Sequence, residues 1–222
     1  MPDLVWFRND LRTTDNPALS AALRTSPQGV VGLFVCTPGT WRRHDWGPPR
    51  VAFVLESLRA LRAELDRLRI PLLIRTVDSE LEAAEAVADV AAAHTCTCVH
   101  ANREFGVDET RRDEHARRGL QDRSIDFRLH ADQVVLSPDE IRTGSGTSYR
   151  VFTPFRSAWN RIFATVPLPP VSRPEPAGAT GIQSDPIPDS VDGFPGWPSI
   201  TLWPAGTQAA MERLTAFLDG PV

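Results

Sequence analysis

Lysine is absent from this chain: all 24 of its positively charged side chains are arginine. Phosphate-binding loops that place a lysine on the ligand are therefore excluded, and no Gly-x-Gly-x-x-Gly fingerprint follows the first predicted strand. The run Gly144-Ser145-Gly146 is predicted to be an ordinary loop. No Ser/His/Asp or Cys/His arrangement for nucleophilic catalysis stands out either. These absences disfavour a nucleotide-binding α/β enzyme, and we predict no catalytic residues.

Cysteine is scarce as well. Cys36, Cys96 and Cys98 are the three cysteines of the chain, so they cannot all pair with one another. Cys96 and Cys98 lie two apart in a predicted strand and share one face, but no partner Cys/His pair has the spacing of a zinc site. We therefore expect buried free thiols and no metal site.

Long hydrophobic runs are also missing. No segment approaches the roughly 20 apolar residues that span a membrane, and the N-terminus lacks the basic and apolar regions of a signal peptide. We therefore expect a cytoplasmic monomer that does not contact membranes. The formal net charge of −4 argues against a nucleic-acid-binding surface formed by this chain alone.

Strand and helix patterns are plentiful and alternate five times. Predicted strands occupy residues 4–7, 30–36, 72–74, 96–100 and 125–129. The intervening helices are predicted at 17–23, after Pro48, from a capping box at Ser79 to about 93, and from Asp108 to about 120. Right-handed crossovers then favour an α/β fold: a Rossmann-like, five-stranded parallel sheet in the order 3-2-1-4-5, with helices on both faces.

The predicted strand order also locates a ligand crevice. The order reverses direction between strands 1 and 4, and open α/β sheets bind ligands at the carboxyl ends of the strands beside such a reversal. The crevice would lie between the loops at 8–14 and 101–107. A long loop at 37–49 would overhang it.

The chain divides by composition into three parts. Residues 1–164 form the predicted α/β domain. Residues 165–206 hold ten of the chain's 20 prolines and are predicted to be an extended linker, either free or wrapped along a neighbouring surface. Residues 207–222 carry a last helix over 207–218, with Met211, Leu214, Phe217 and Leu218 on one face.

Three sequence runs, in the same order as here, resemble the N-terminal domain of the DNA photolyase and cryptochrome family. They are LVWFRNDLRTTDNPAL at 4–19, NREFGVDETRRD at 102–113 and YRVFTPFRSAW at 149–159. The first predicts a buried strand, a charged loop and a helix that Asp15 or Asn16 caps ahead of Pro17. In the third, Thr153 is predicted to cap a helix that begins at Pro154.

The resemblance implies a light-harvesting antenna domain of a deoxyribodipyrimidine photo-lyase. In that family a helical C-terminal domain binds FAD and damaged DNA, and we expect it to be a partner in cis or in trans, reached from the helix at 207–222. Without that domain we expect this chain alone to be inactive in repair. A cryptochrome-like signalling or interaction module is the alternative, because the residues that separate the two functions belong to the other domain.

The resemblance also implies a set of binding residues for the antenna chromophore. His44, Asp108 and Glu109 match positions that hold methenyltetrahydrofolate, the pigment we consider first, although the family usually has Asn in place of Asp108. Asp108 and Glu109 also suit a helix N-terminus on grounds of capping and dipole alone.

An alternative pigment, 8-hydroxy-5-deazaflavin or FMN, would use a pocket nearer the second strand. Its predicted lining is Phe34, Cys36, Arg50, Asn102 and Glu104, where Arg50 would hold an anionic tail. Two further predicted site residues, Arg8 and Asp10, are better explained together with Arg12 as a charge cluster that fixes the loop. Trp41, Trp46 and Trp159 are candidate aromatic walls, with core or interdomain packing as the default interpretation.

Overall fold

The computed structural model describes residues 1–167, 171–197 and 203–220. Five parallel strands form one sheet in the order β3-β2-β1-β4-β5, as the sequence predicts. The strands are β1 (Asp3–Phe7), β2 (Val30–Cys36), β3 (Leu72–Thr76), β4 (Cys98–Asn102) and β5 (Asp126–His130).

Strand β4 begins two residues later than predicted. The preceding helix ends in a tight turn in which Thr95 has a positive φ of 51° and the Cys96 N–H donates to Ala91 O. This turn uses the residues up to Cys96, so the strand starts only at Cys98. Cys96 therefore lies outside the strand, although all three cysteines are buried free thiols.

Seven helices lie within the described residues. They are α1 (Pro17–Thr25), α2 (Pro38–Arg43), α3 (Pro48–Arg67), α4 (Glu80–Ala93), α5 (Val107–Gln121), α6 (Phe152–Phe163) and α7 (Thr207–Asp219). Within the predicted loop at 37–49, α2 was not foreseen: Pro38 occupies its first position, which needs no backbone donor.

The predicted start of α6 is wrong. The helix begins at Phe152, Val151 is its N-cap residue, and no side chain caps it. Pro154 is therefore the third helical residue rather than the first. Because the first four N–H groups of a helix have no partner within the helix, a proline at that position costs no hydrogen bond. Thr153 consequently lies inside the helix.

The sheet separates two hydrophobic cores, since successive residues of a strand point to opposite faces. Leu4 and Trp6 pack with apolar residues of α4 and α5 on one face. Val5 and Phe7 pack with apolar residues of α1 and α3 on the other. The coverage of both faces explains why β1 and β2 are apolar without alternation.

The proline-rich residues 171–197, which we call the strap, run along the edge strand β3. The Asp185 N–H donates to Leu72 O at 2.9 Å, and Asp185 Oδ2 accepts from Ile74 N at 2.9 Å. Val191 and Phe194 are buried in the core beneath. Of the predicted linker and terminal helix segments, residues 168–170, 198–202 and 221–222 lie outside the described residues.

Among the residues that the structure describes, no helix combines the length and the apolar character that crossing a membrane requires. The same residues contain no group of three or more His, Cys, Asp or Glu side chains arranged to hold a metal ion. Burial raises the pKa of Cys36 to about 11 and those of Cys96 and Cys98 to about 12, so these thiols are not reactive nucleophiles at neutral pH.

Candidate functional site

A cavity of about 850 Å³ lies at the carboxyl ends of β1 and β2, beside the point between β1 and β4 at which the strand order reverses. Its floor is the loop after β1, and its walls come from β2, the α2–α3 region, the start of α5 and the first turns of α7. This is the crevice that the sequence predicts, enlarged on one side by α7. Parallel sheets bind ligands at this position because the loops that follow neighbouring strands meet there.

The floor of the cavity rests on a buried network of ion pairs. Arg8 Nη1 lies 2.6 Å from Asp113 Oδ1, and Arg112 Nη2 lies 2.8 Å from both Asp113 Oδ1 and Glu104 Oε2. Both guanidinium groups also lie about 5 Å from the Trp6 ring, at 5.1 and 4.9 Å. Two arginines and two carboxylates thus balance one another in a space almost closed to water.

The network perturbs the titration of its members. Burial and the neighbouring Arg112 lower the pKa of Arg8. Burial alone would raise the pKa of Glu104, but the charges of Arg8 and Arg112 outweigh it and lower that pKa. Burial likewise opposes the charge of Arg112, yet Asp113, Glu104 and Glu80 raise its pKa. Glu104 is therefore a fixed carboxylate rather than a proton donor.

Asp10 fixes the conformation of the loop after β1. Its carboxylate accepts from Arg8 N at 2.7 Å and from Asn102 Nδ2 at 2.6 Å. Asn102 Oδ1 in turn accepts from Ala18 N, and Asn16 Oδ1 caps α1 by accepting from Leu19 N at 3.0 Å. Asp10 and Asn102 are thereby committed to holding the loop and α1 together.

An aromatic stack forms the wall on the side of α3. The Trp41 and Trp46 rings are nearly parallel, at 3°, with centroids 5.0 Å apart. Arg50 Cζ lies 3.6 Å from the centroid of the Trp46 ring, and Phe194 of the strap meets Trp41 edge-on. The cavity wall on this side is therefore an aromatic stack that is covered by a guanidinium group.

Another part of the cavity lining carries carboxylates at the start of α5. Asp108 and Glu109 occupy the first turn, and His44 Nε2 lies 3.9 Å from Asp108 Oδ2. Glu109 folds back over Gly106, so that a Cβ at residue 106 would overlap Glu109 Oε2. Gly106 thus provides the space in which the Glu109 carboxylate lies.

Eight of the ten predicted site residues line the cavity: Arg8, Asp10, Phe34, His44, Arg50, Glu104, Asp108 and Glu109. Cys36 is completely buried in the core with β2, and Asn102 lies behind the loop that it stabilises. Sequence reasoning missed Arg112, Glu80 and Thr207. Arg112 lies in the run DETRRDEHARR, where nearly every residue is charged, so neither Arg112 nor Thr207 carries a local signal that sets it apart.

Two polar atoms of lining residues have no hydrogen-bond partner among the described residues although they are buried. They are Arg8 Nε and Thr207 Oγ1. A ligand with hydrogen-bonding groups would satisfy such atoms, whose burial without a partner is unfavourable. The cavity therefore combines flat aromatic surface, charges of both signs and unused hydrogen-bonding capacity, which suits a planar heterocycle with polar substituents.

Comparison with known proteins gives a consistent result. The family model described as DNA photolyase matches residues 3–175. The deoxyribodipyrimidine photo-lyase of Vibrio cholerae is 39% identical over 160 residues, which are 72% of this chain and 34% of that protein. The chain thus spans about a third of the length of this curated relative.

Two solved structures share the fold. A bacterial class III photolyase from Agrobacterium tumefaciens superposes with a TM-score of 0.71 at 22% identity, covering 99% of this chain and 45% of that one. An archaeal photolyase from Sulfolobus tokodaii superposes with a TM-score of 0.58 at 23% identity, covering 80% of this chain and 38% of that one.

Proposed function

Because the chain belongs to the DNA photolyase family, we propose that it is the light-harvesting domain of a photolyase that repairs pyrimidine dimers in DNA. In this proposal the cavity binds an antenna chromophore, methenyltetrahydrofolate in the first instance and 8-hydroxy-5-deazaflavin or FMN as the alternative. The chromophore absorbs light and passes the excitation energy to FAD. The FAD belongs to a helical domain that corresponds to the remaining length of the relatives.

The observation that carries this proposal is the cavity itself. A volume of about 850 Å³, bounded by Trp41, Trp46 and Phe34, accommodates a heterocycle of two or three fused rings. Arg8 Nε and Thr207 Oγ1, which are buried and make no hydrogen bond within the described residues, fit a ligand that brings polar groups to the floor and to the α7 side. The chain's own residues therefore fit the pigment class that the family implies.

Each wall has a distinct task in binding. The carboxylates of Asp108 and Glu109 accept hydrogen bonds from the N–H groups of the heterocycle, and the Arg50 guanidinium pairs with an anionic tail. The ion-pair network beneath Arg8 and Glu104 keeps the floor rigid, so little order has to be imposed on the protein when the pigment binds. None of these residues forms or breaks a bond, because the pigment supplies the photochemistry.

A photolyase of the same fold, from Sulfolobus tokodaii, contains two FAD molecules, which imply a novel light-harvesting cofactor in that protein. For the present chain we propose one pigment in the cavity and FAD in the helical partner domain, in cis or in trans. Damaged DNA would bind through that partner, so illumination of this chain alone with dimer-containing DNA should leave the dimers intact.

A fluorescence titration tests the proposal. The purified chain is titrated in parallel with methenyltetrahydrofolate, 8-hydroxy-5-deazaflavin, FMN and FAD. We expect saturable binding of at least one of the first three and no binding of FAD. Failure of all three to bind would contradict the antenna function.

A pair of matched variants locates the pigment. Glu109→Gln removes a charge from the cavity wall and should weaken binding about tenfold, which is the loss of one charge-assisted hydrogen bond. Glu114→Gln removes the same charge from an exposed position on the same helix and should leave the affinity unchanged. Equal affinities of the two variants would place the pigment elsewhere.

A further inference from the structure

We infer that Trp46 is a positioning residue that holds the Arg50 guanidinium in the cavity, and that this pair selects ligands whose planar ring carries an anionic tail. The inference rests on the proposed function, because it concerns the same cavity. It goes further by assigning ligand selectivity to one cation–π pair. The pair is supported from behind by Trp41.

The contacts of the stack favour one orientation of Arg50. One face of the Trp46 ring is covered by Trp41, at 3° and 5.0 Å, and the guanidinium lies over the ring at 3.6 Å. Trp41 is itself 5% exposed and is held edge-on by Phe194. Arg50 is an exposed residue, and this aromatic support restricts its otherwise mobile side chain.

The position of Arg50 in its helix gives a second reason. Arg50 is the third residue of α3, a helix of 20 residues with no acidic residue in its first turn. The N-terminus of a helix carries partial positive charge, so an arginine there is electrostatically unfavourable. Moreover, no ion pair of Arg50 occurs within residues 1–167, 171–197 and 203–220, whereas Arg59 and Arg62 on the same helix are each paired. The positive charge of Arg50 and the partial positive charge of the helix N-terminus therefore lie together in the cavity wall.

The carboxylates at the start of α5 add a second requirement for the ligand. Asp108 and Glu109 line the same cavity as Arg50, and because they accept hydrogen bonds and repel anions, an anionic group is favoured at Arg50 and N–H donors are favoured at α5. The ligand class that satisfies both is a planar heterocycle with N–H donors and a phosphate or carboxylate tail.

Two pairs of probes that differ in their anionic tails test this inference. FMN and riboflavin share one ring system and differ in a phosphate. Methenyltetrahydrofolate with one or three glutamates provides the same comparison for the folate pigment. We expect the member with the greater negative charge to bind about 10- to 100-fold more tightly in whichever pair binds, which corresponds to one charge-assisted interaction.

Four variants separate positioning from general stability. Arg50→Gln should reduce the affinity for FMN to that of riboflavin and leave the affinity for riboflavin, which has no anionic tail, unchanged. In the folate pair, where both members carry carboxylates, it should remove the preference for the longer tail. Trp46→Leu should lose most of the same preference, while Trp46→Phe, which keeps an aromatic face, should retain it. Arg67→Gln removes a charge from the far, exposed end of α3 and is the control.

The outcomes distinguish this inference from the antenna function. A chain that binds both members of a pair equally well retains the antenna function and overturns the role of the Trp46–Arg50 pair. If Arg50→Gln binds both members of a pair more tightly, Arg50 blocks the cavity. If Trp46→Leu keeps the preference for the more anionic probe, Arg50 does not need Trp46 to hold it. Either result overturns the inference. A chain that binds none of the probes overturns the antenna function together with it.

Discussion

The ion-pair network under the cavity predicts a large loss of stability when Asp113 becomes asparagine. Asp113 Oδ1 accepts from Arg8 Nη1 at 2.6 Å and from Arg112 Nε and Nη2 at 3.1 and 2.8 Å. Asparagine keeps the shape and one acceptor oxygen but removes the charge. The two buried guanidinium groups would then share Glu104, and Arg112 would keep its pair with the less buried Glu80 at 3.1 Å.

The size of the effect follows from this imbalance. Removal of one partner from a buried ion pair costs about 3–5 kcal/mol, and asparagine should lie near the lower limit because its oxygen still accepts hydrogen bonds. The amide nitrogen would occupy the place of Asp113 Oδ2, which is buried and has no partner among the described residues. We therefore expect the free energy of unfolding to fall by about 3 kcal/mol. For a chain of this size, that loss lowers the melting temperature by about 6–12 °C.

Urea unfolding followed by circular dichroism measures this difference. The control is Glu114→Gln, at the residue that follows Asp113 in α5. The exposed ion pair of Glu114 with Arg118, at 3.2 Å, should contribute less than 1 kcal/mol to stability. The slope of the free energy against urea should be the same in both variants, since the surface exposed on unfolding does not change. A loss below 1 kcal/mol for Asp113→Asn would refute the interpretation of the network as mutually dependent buried charges.

Three further predictions concern other parts of the molecule. Burial and His100 lower the pKa of His130 from 6.5 to about 4, so the folded state binds fewer protons than the unfolded state, and the free energy of unfolding should decrease as the pH falls from about 6.5 to about 4. In urea unfolding, His130→Gln should make the free energy of unfolding less dependent on pH in this range, and an unchanged pH dependence would contradict the role of His130. Asp185→Ala leaves Ile74 N without its acceptor, so the free energy of unfolding should fall by about 1–3 kcal/mol and limited proteolysis should cut the strap first. Equal rates of cleavage in the variant and the wild type would argue against this. Gly106→Ala should displace Glu109 and weaken pigment binding about tenfold with little change in melting temperature. If the variant binds the pigment with wild-type affinity, Glu109 does not contact the pigment.

The sheet was predictable from sequence because its signals are local. Strand β2 coincides with its predicted range, since a continuous apolar run bounded by Gly29 and Thr37 leaves little choice. The capping box predicted at Ser79 forms as expected, with Ser79 Oγ accepting from Glu82 N at 3.2 Å. The strand order followed from the handedness of the crossovers rather than from any single residue.

The remaining features depend on contacts between distant parts of the chain. Thr207 reaches the cavity because the strap returns the chain to the carboxyl ends of the strands, which no local pattern encodes. Arg112 belongs to a buried network only because Arg8, more than one hundred residues earlier, shares Asp113 with it. The resemblance implied that Cys36 lines a pocket, whereas its side chain lies in the core.

The hydrogen bonds of the strap limit how this protein can be re-engineered. Edge strands with bare N–H and C=O groups are templates for pairing with other chains. Here Ser184 and Asp185 occupy those groups on β3, and Arg62 Nη1 holds the strap by donating to Asp185 O at 2.6 Å. A flexible Gly/Ser tether of equal length would join the same end points but leave β3 open to strand addition. Fusions and domain exchanges should therefore keep residues 171–197 with the sheet and place their junction downstream.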